Sequence, residues 1–114
     1  MGEKIMYGKI ILSEQICNIT SIMNQNNKGA FNVVQGYTVS PDYMHLLIMK
    51  DPEISEDYDL KNCVMARSSR TTGTVTSLTI SEPRSLRHGN DCTYYNGNFY
   101  VAQGGGAVIQ SILL

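Results

Sequence analysis

The chain has no tryptophan, only three cysteines, few charges and no long apolar run, and each shortage removes a class of protein. Nothing approaches the roughly 18 consecutive apolar residues that a membrane-spanning helix needs. The three cysteines, Cys17, Cys63 and Cys92, are odd in number and show no CxxC spacing. That argues against a disulfide framework and a zinc cluster, and reads as free thiols in a reducing compartment. No metal and no cofactor are expected. Charged residues make up 17% of the chain and the net charge is -1. With so weak a global field, neither a nucleic acid polymer nor an anionic membrane is an expected partner. The opening "MGEKIMYGKIIL" lacks the apolar run and cleavage site of a signal peptide, and Met6 stands where a myristoylation signal carries Ser or Thr. The expected location is therefore cytoplasmic.

What is present is β-forming sequence. Residues 4–12, "KIMYGKIIL", read as a strand. In "SEQICNITSIMNQNN", Ser13 is placed to cap and Ile16, Ile19 and Met23 recur at helical spacing, so one short amphipathic helix is expected, ended by Asn24, Asn26, Asn27 and Gly29. From there the runs are strand-like. "NVVQGYTV" and "YMHLLIMK" are joined by "SPDY", where Pro41 and Asp42 suit a tight turn. "DPEISEDYD" is an acidic loop. "LKNCVMARSS" and "GTVTSLTIS" form the next pair, the latter alternating as a half-buried strand does. "DCTYY" and "NFYVAQ" flank Asn96-Gly97, the strongest hairpin signal in the chain, and "AVIQSILL" follows three glycines as a final strand.

Two of these hairpins match each other. Placing "GYTVSPDYMHLLIM" above "DCTYYNGNFYVAQG" aligns Gly36 with Asp91, an offset of 55. Thr38 then falls on Thr93, and apolar or aromatic positions coincide at Tyr37/Cys92, Val39/Tyr94, Met44/Phe99 and Leu46/Val101. The two turns superpose as well. A self-similar period near 50 with about four strands per unit is the pattern of propeller blades.

The string "HGNDCTYYNGNFYVA" resembles a blade entry in the broad class of six-bladed β-propellers, and "QGYTVSPDYMHLLI" is similar in form. The resemblance implies a mainly β fold of antiparallel four-stranded blade-like sheets, with one short N-terminal helix, in a single domain over residues 1–114. Blade-like repeats would occupy about 33–81 and 86–114, the second lacking a fourth strand that residues 4–12 could supply in cis or in trans. It also implies that Gln35, His88, Asn90 and Asp91 face a central channel. Two blades leave their flanks open, so a homo-oligomer is expected to close the ring, a trimer giving six blades.

The chemistry-bearing residues leave three functions open. Arg67, Arg70, Arg84 and Arg87, all the arginines of the chain, lie beside several Ser and Thr, and guanidinium forks beside hydroxyls suit phosphate or carboxylate. The main expectation is a non-enzymatic, oligomeric binder of a small anionic, nucleotide-type ligand. In it Arg67, Arg70 and Arg87 clamp phosphate and Tyr94 or Tyr95 stacks. Oligomeric nucleotide sponges of phage counter-defence are an analogy of size and assembly. A second reading is a lectin-like glycan-binding propeller module, and a third is a lyase or hydrolase using His88 and Asp91. There is no nucleophile elbow. "AQGGGAVIQ" matches neither phosphate-loop spacing and reads as a connector. His45, inside "YMHLLIM", reads as packed or pointing outward.

Overall fold

The computed structural model describes residues 15–51, 61–70, 73–86, 88–104 and 108–112. The fold is mainly β, with one helix and two antiparallel sheets among these residues. The N-terminal strand expected at 4–12, the acidic loop after Asp51, Arg87, and Gly105 and Gly106 of the glycine run lie outside them.

Helix α1 (Ile19–Gln25) starts later than the spacing of Ile16, Ile19 and Met23 implies. Cys17 forms a parallel bridge with Val75, and Val75 N donates to Ile16 O at 2.6 Å, so the chain is held extended up to Asn18. Asn18 then caps the helix by accepting from Ser21 N. At the other end Asn27 takes a left-handed conformation, φ 58°, and Lys28 N returns to Met23 O.

The first sheet runs in the order β1 (Phe31–Val39), β2 (Tyr43–Lys50), β3 (Cys63–Ser69), β4 (Thr79–Ile80). β4 is far shorter than "GTVTSLTIS" promises. The edge of β3 is already shared, because Arg84 bridges Cys63 and the Ser81 hydroxyl accepts from Met65 N, which leaves Thr79–Ile80 as the paired remainder. The second sheet is β5 (His88–Tyr95), β6 (Asn98–Gly104) and β7 (Val108–Ile112), in that order. Asn96 and Gly97 join β5 to β6 with φ of 50° and 92°, the left-handed pair that a two-residue hairpin turn needs.

The register of the two hairpins recurs. Thr38 pairs with His45, Val39 with Met44, Tyr37 with Leu46 and Gly36 with Leu47. Fifty-five residues later, Thr93 pairs with Tyr100, Tyr94 with Phe99, Cys92 with Val101 and Asp91 with Ala102. Each first strand also carries an irregularity just before this stretch, between Val34 and Gly36 and between Gly89 and Asp91.

The sheets stack through their facing sides. Leu47, Met49, Cys63 and Met65 of the first sheet meet Cys92, Phe99 and Val101 of the second, with Leu86 closing the cluster. The edge strands β1 and β5 run alongside each other in the same direction, with Gly36 against Asp91 and Cys92, and Thr38 Oγ1 accepting from Tyr94 N at 3.1 Å. On its other side the first sheet buries Phe31, Ile48, Val64 and Ala66 under Met23 of α1. No helix among the described residues is long and apolar enough to cross a membrane.

Candidate functional site

The two hairpin turns lie at the same end of the stacked sheets, and a cleft of about 510 Å³ opens between them. One lip is Ser40, Pro41 and Asp42, and Gly97 stands on the other. Tyr43 and His45 of β2, Arg67 of β3 and Tyr94 and Phe99 of the second sheet form the walls. The volume falls within the usual range for small-molecule sites.

Alternation along the first hairpin puts these side chains on one face. Thr38 sits opposite His45, and Ser40 is two residues further along the same side of β1's path. The Ser40 hydroxyl and His45 Nε2 are 2.8 Å apart, and both residues are buried. The ring of His45 stands edge-on to Phe99 at 4.6 Å between centroids and lies parallel to Tyr94 at 6.3 Å. Burial first, and the nearby Arg67 charge second, hold the His45 pKa below its ordinary value. The imidazole is therefore neutral at pH 7 and can donate at one nitrogen and accept at the other.

Arg67 is exposed, and its guanidinium carbon lies 4.2 Å from the centroid of Tyr43. Stacking orients the planar fork and leaves its N–H edges free to turn to a ligand. Arg70 follows β3 at the rim, where its Nη1 donates to the carbonyls of Ser40 and Pro41 at 3.4 Å each, and its backbone N donates to Asp42 O.

Of the residues singled out from sequence, the cleft gathers Arg67 and Tyr94, with Arg70 at its rim. Tyr95, 69% exposed, ends β5 on the opposite face of its sheet from Tyr94. Gln35, His88, Asn90 and Asp91 lie along β1 and β5, away from the cleft. Among these, Asp91 Oδ1 accepts from Cys92 N at 2.8 Å. Arg87 is outside the described residues. Ser40, Asp42, Tyr43 and His45 were not singled out as site residues, although the hairpin register, once drawn from the Pro41-Asp42 turn, would have put Ser40 and His45 on one face. Among the described residues no group of three His, Cys, Asp or Glu is placed to hold a metal ion. Compared with protein-family models, curated proteins and solved structures, the chain matches none.

Proposed function

We propose that this protein is a non-enzymatic, self-associating binder of a small anionic ligand of nucleotide type, held in the cleft between the two sheets. The observation that carries the reading is Arg67, whose fork is stacked on Tyr43 at the mouth of a cleft walled by His45 and Tyr94. The guanidinium edge is the phosphate contact, with Arg70 in reserve at the rim. Tyr94 and Tyr43 supply faces for a base, and neutral His45 and the Asp42 carboxylate supply polar contacts for its edge or for sugar hydroxyls. This arrangement serves sequestration as well as sensing, because nothing in it requires turnover.

The finer fold reading belongs with this function. The two sheets are two blades of a propeller, and copies of the chain close the ring, three copies giving six blades. Support comes from the shared 55-residue register, the irregularity at the same place in both hairpins, and the parallel run of β1 beside β5. Innermost strands of neighbouring propeller blades lie side by side in this way.

Isothermal titration of the full chain with a panel of nucleoside monophosphates and cyclic dinucleotides tests the ligand class. Binding by at least one of them, weakened in Arg67→Ala, is expected. No heat with any of them at millimolar concentration sinks it.

One observation favours a second reading. The 2.8 Å contact between Ser40 and His45 is the geometry of a serine whose proton a neutral histidine can take. Treating the protein with a fluorophosphonate and locating the adduct by mass spectrometry separates the two. Stoichiometric labelling of Ser40 would favour a hydrolase, and an unlabelled Ser40 the binder.

A further inference from the structure

The recurring register assigns each position of the second sheet a counterpart in the first, and the counterparts differ in burial. Cys92, Phe99 and Val101 are buried against the first sheet, at 7%, 4% and 0% exposure. Their counterparts by the offset of 55 are Tyr37, Met44 and Leu46, on the far face of the first sheet. There Tyr37 is 57% exposed and neighbouring Val39, the counterpart of Tyr94, 40%. Tyr37, Met44 and Leu46, with Ile16, Ile19, Val75 and Leu78, line an apolar groove of about 310 Å³, beside the part of the face that α1 covers.

The converse holds for the second sheet. Leu47 of the first sheet is fully buried in the core between the sheets, as is Met65 opposite it at 2% exposure. The counterpart of Leu47 is Ala102, and Ile109 stands opposite Ala102 as Met65 stands opposite Leu47. Ala102 is exposed and Ile109 is 72% exposed. Each sheet thus leaves open part of the face whose counterpart is buried inside the chain, the rest of the first sheet's far face lying under α1. Apart from Asp91, which stands opposite Ala102 and is engaged by Cys92 N, these positions carry no charge, so the partner is a matching, mainly apolar surface rather than a polyelectrolyte.

We propose that the face of the second sheet bearing Tyr100, Ala102 and Ile109 docks onto the face of the first sheet bearing Tyr37, Val39, Met44 and Leu46 in a second copy of this chain. The contact is head to tail and repeats between copies the packing that joins the two sheets within one copy. It rests on reading the sheets as two blades, and it names the surfaces by which the ring closes. The internal contact of His45 with Phe99, at 4.6 Å, gives the cross-copy contact by the same offset: Tyr100 of one copy against Met44 of the next.

A consequence follows for the ligand. The cleft that forms between copies has Tyr95 in place of Ser40, Gly97 in place of Asp42, Asn98 in place of Tyr43 and Tyr100 in place of His45. On the third strand, Ser111 stands where Arg67 does. It lacks both the guanidinium and the imidazole. Ligand sites therefore number one per chain, not one per sheet.

The test uses native mass spectrometry of the full chain and of two variants, Tyr37→Glu and Ile109→Glu, at exposed positions where a charge leaves the core intact. The wild type assembles. Each variant alone is monomeric, and because each spoils a different face, an equimolar mixture gives a dimer and nothing larger. A second measurement does not depend on weakened binding. Met44→Cys with Tyr100→Cys, in a Cys17→Ser background, gives chains cross-linked to one another on oxidation, and either substitution alone does not. Assembly that is unchanged in both variants, with no cross-link, overturns these surfaces while self-association stands. A monomeric wild type overturns the ring itself. Nucleotide titration of the monomeric variants, whose cleft is made within one chain, reports on the ligand reading separately.

Discussion

Gly36 lies directly against Asp91, its counterpart 55 residues on: a Cβ built on Gly36 would stand 3.0 Å from both Asp91 Oδ1 and Cys92 N, and 3.2 Å from Asp91 Cα. Two of these three neighbours are backbone atoms, which cannot step aside without moving β5. The absence of a side chain is thus what lets the two edge strands close up, and Thr38 can then accept from Tyr94 N.

Gly36→Ala is expected to lower stability by about 1–3 kcal/mol, the usual cost of forcing an extra carbon into a packed site. Gly97→Ala is a control with a different cause. Nothing lies within 4 Å of the added carbon, but φ is 92°, so its cost, about 1 kcal/mol, comes from backbone strain alone. Urea denaturation of the two variants checks this. A loss for Gly36→Ala well below about 1 kcal/mol would mean that the β1–β5 contact is looser than described.

How far the sequence carried the fold depends on how local each signal is. Asn96-Gly97 and Pro41-Asp42 set their turns by their own conformational preferences, so the hairpins and their registers were legible, and so was the offset that relates them. β4 is shorter than its sequence implies: "TVTSLTI" alternates like a strand throughout, whereas its pairing depends on what Ser81 and Arg84 do at the far edge of β3. The cleft was the least legible part. His45 sits in a run that reads as core, and its site needs Arg67 from β3 and Tyr94 from the other sheet. A nearby string such as Arg87 to Asp91 has more visible chemistry, yet its described residues run along an edge strand, apart from the cleft.

The three thiols should differ in reactivity. Burial raises the pKa of Cys63 to about 11, against a smaller opposing effect of the Gly89 backbone. Burial, followed by the Asp91 charge, does the same for Cys92. Both are packed in the core between the sheets. Cys17 is only partly buried, and burial raises its pKa as well. Iodoacetamide at pH 8 is expected to label Cys17 in the native protein, and Cys63 and Cys92 only after denaturant is added. Fast native labelling of Cys92 would show that the second sheet comes away from the first.

Stability should fall on the acid side because of His45. In the unfolded chain its imidazole takes a proton near the ordinary value of about 6.5. In the folded protein burial and Arg67 delay protonation to lower pH. Between those two points the unfolded state binds more protons, so this contribution is complete above about pH 6.5 and is lost as the pH drops below it. Thermal melts of the wild type and His45→Gln between pH 5 and pH 8 give the comparison. The gap in Tm should narrow toward pH 5, and a gap that is constant across the range would remove His45 as the cause.

Arg67 and Arg70 should contribute unequally to ligand binding. The carbonyls of Ser40 and Pro41 already engage Arg70, so it acts on a ligand chiefly through charge at the rim. Arg67 presents a fork fixed by Tyr43. Replacing Arg67 by Ala is expected to weaken binding by about 10- to 100-fold, in line with the roughly 1.5–3 kcal/mol of a hydrogen bond to a charged group. Arg67→Lys should recover little, since an ammonium neither stacks on Tyr43 in the same way nor offers paired donors. Arg70→Ala should cost less, with an effect that shrinks as salt is raised, because an exposed charge is screened. Calorimetric titration at 50 and 500 mM salt distinguishes the two arginines. Equal, fully salt-sensitive losses would mean that neither fork makes a directed contact, and that the cleft attracts anions by its charge alone.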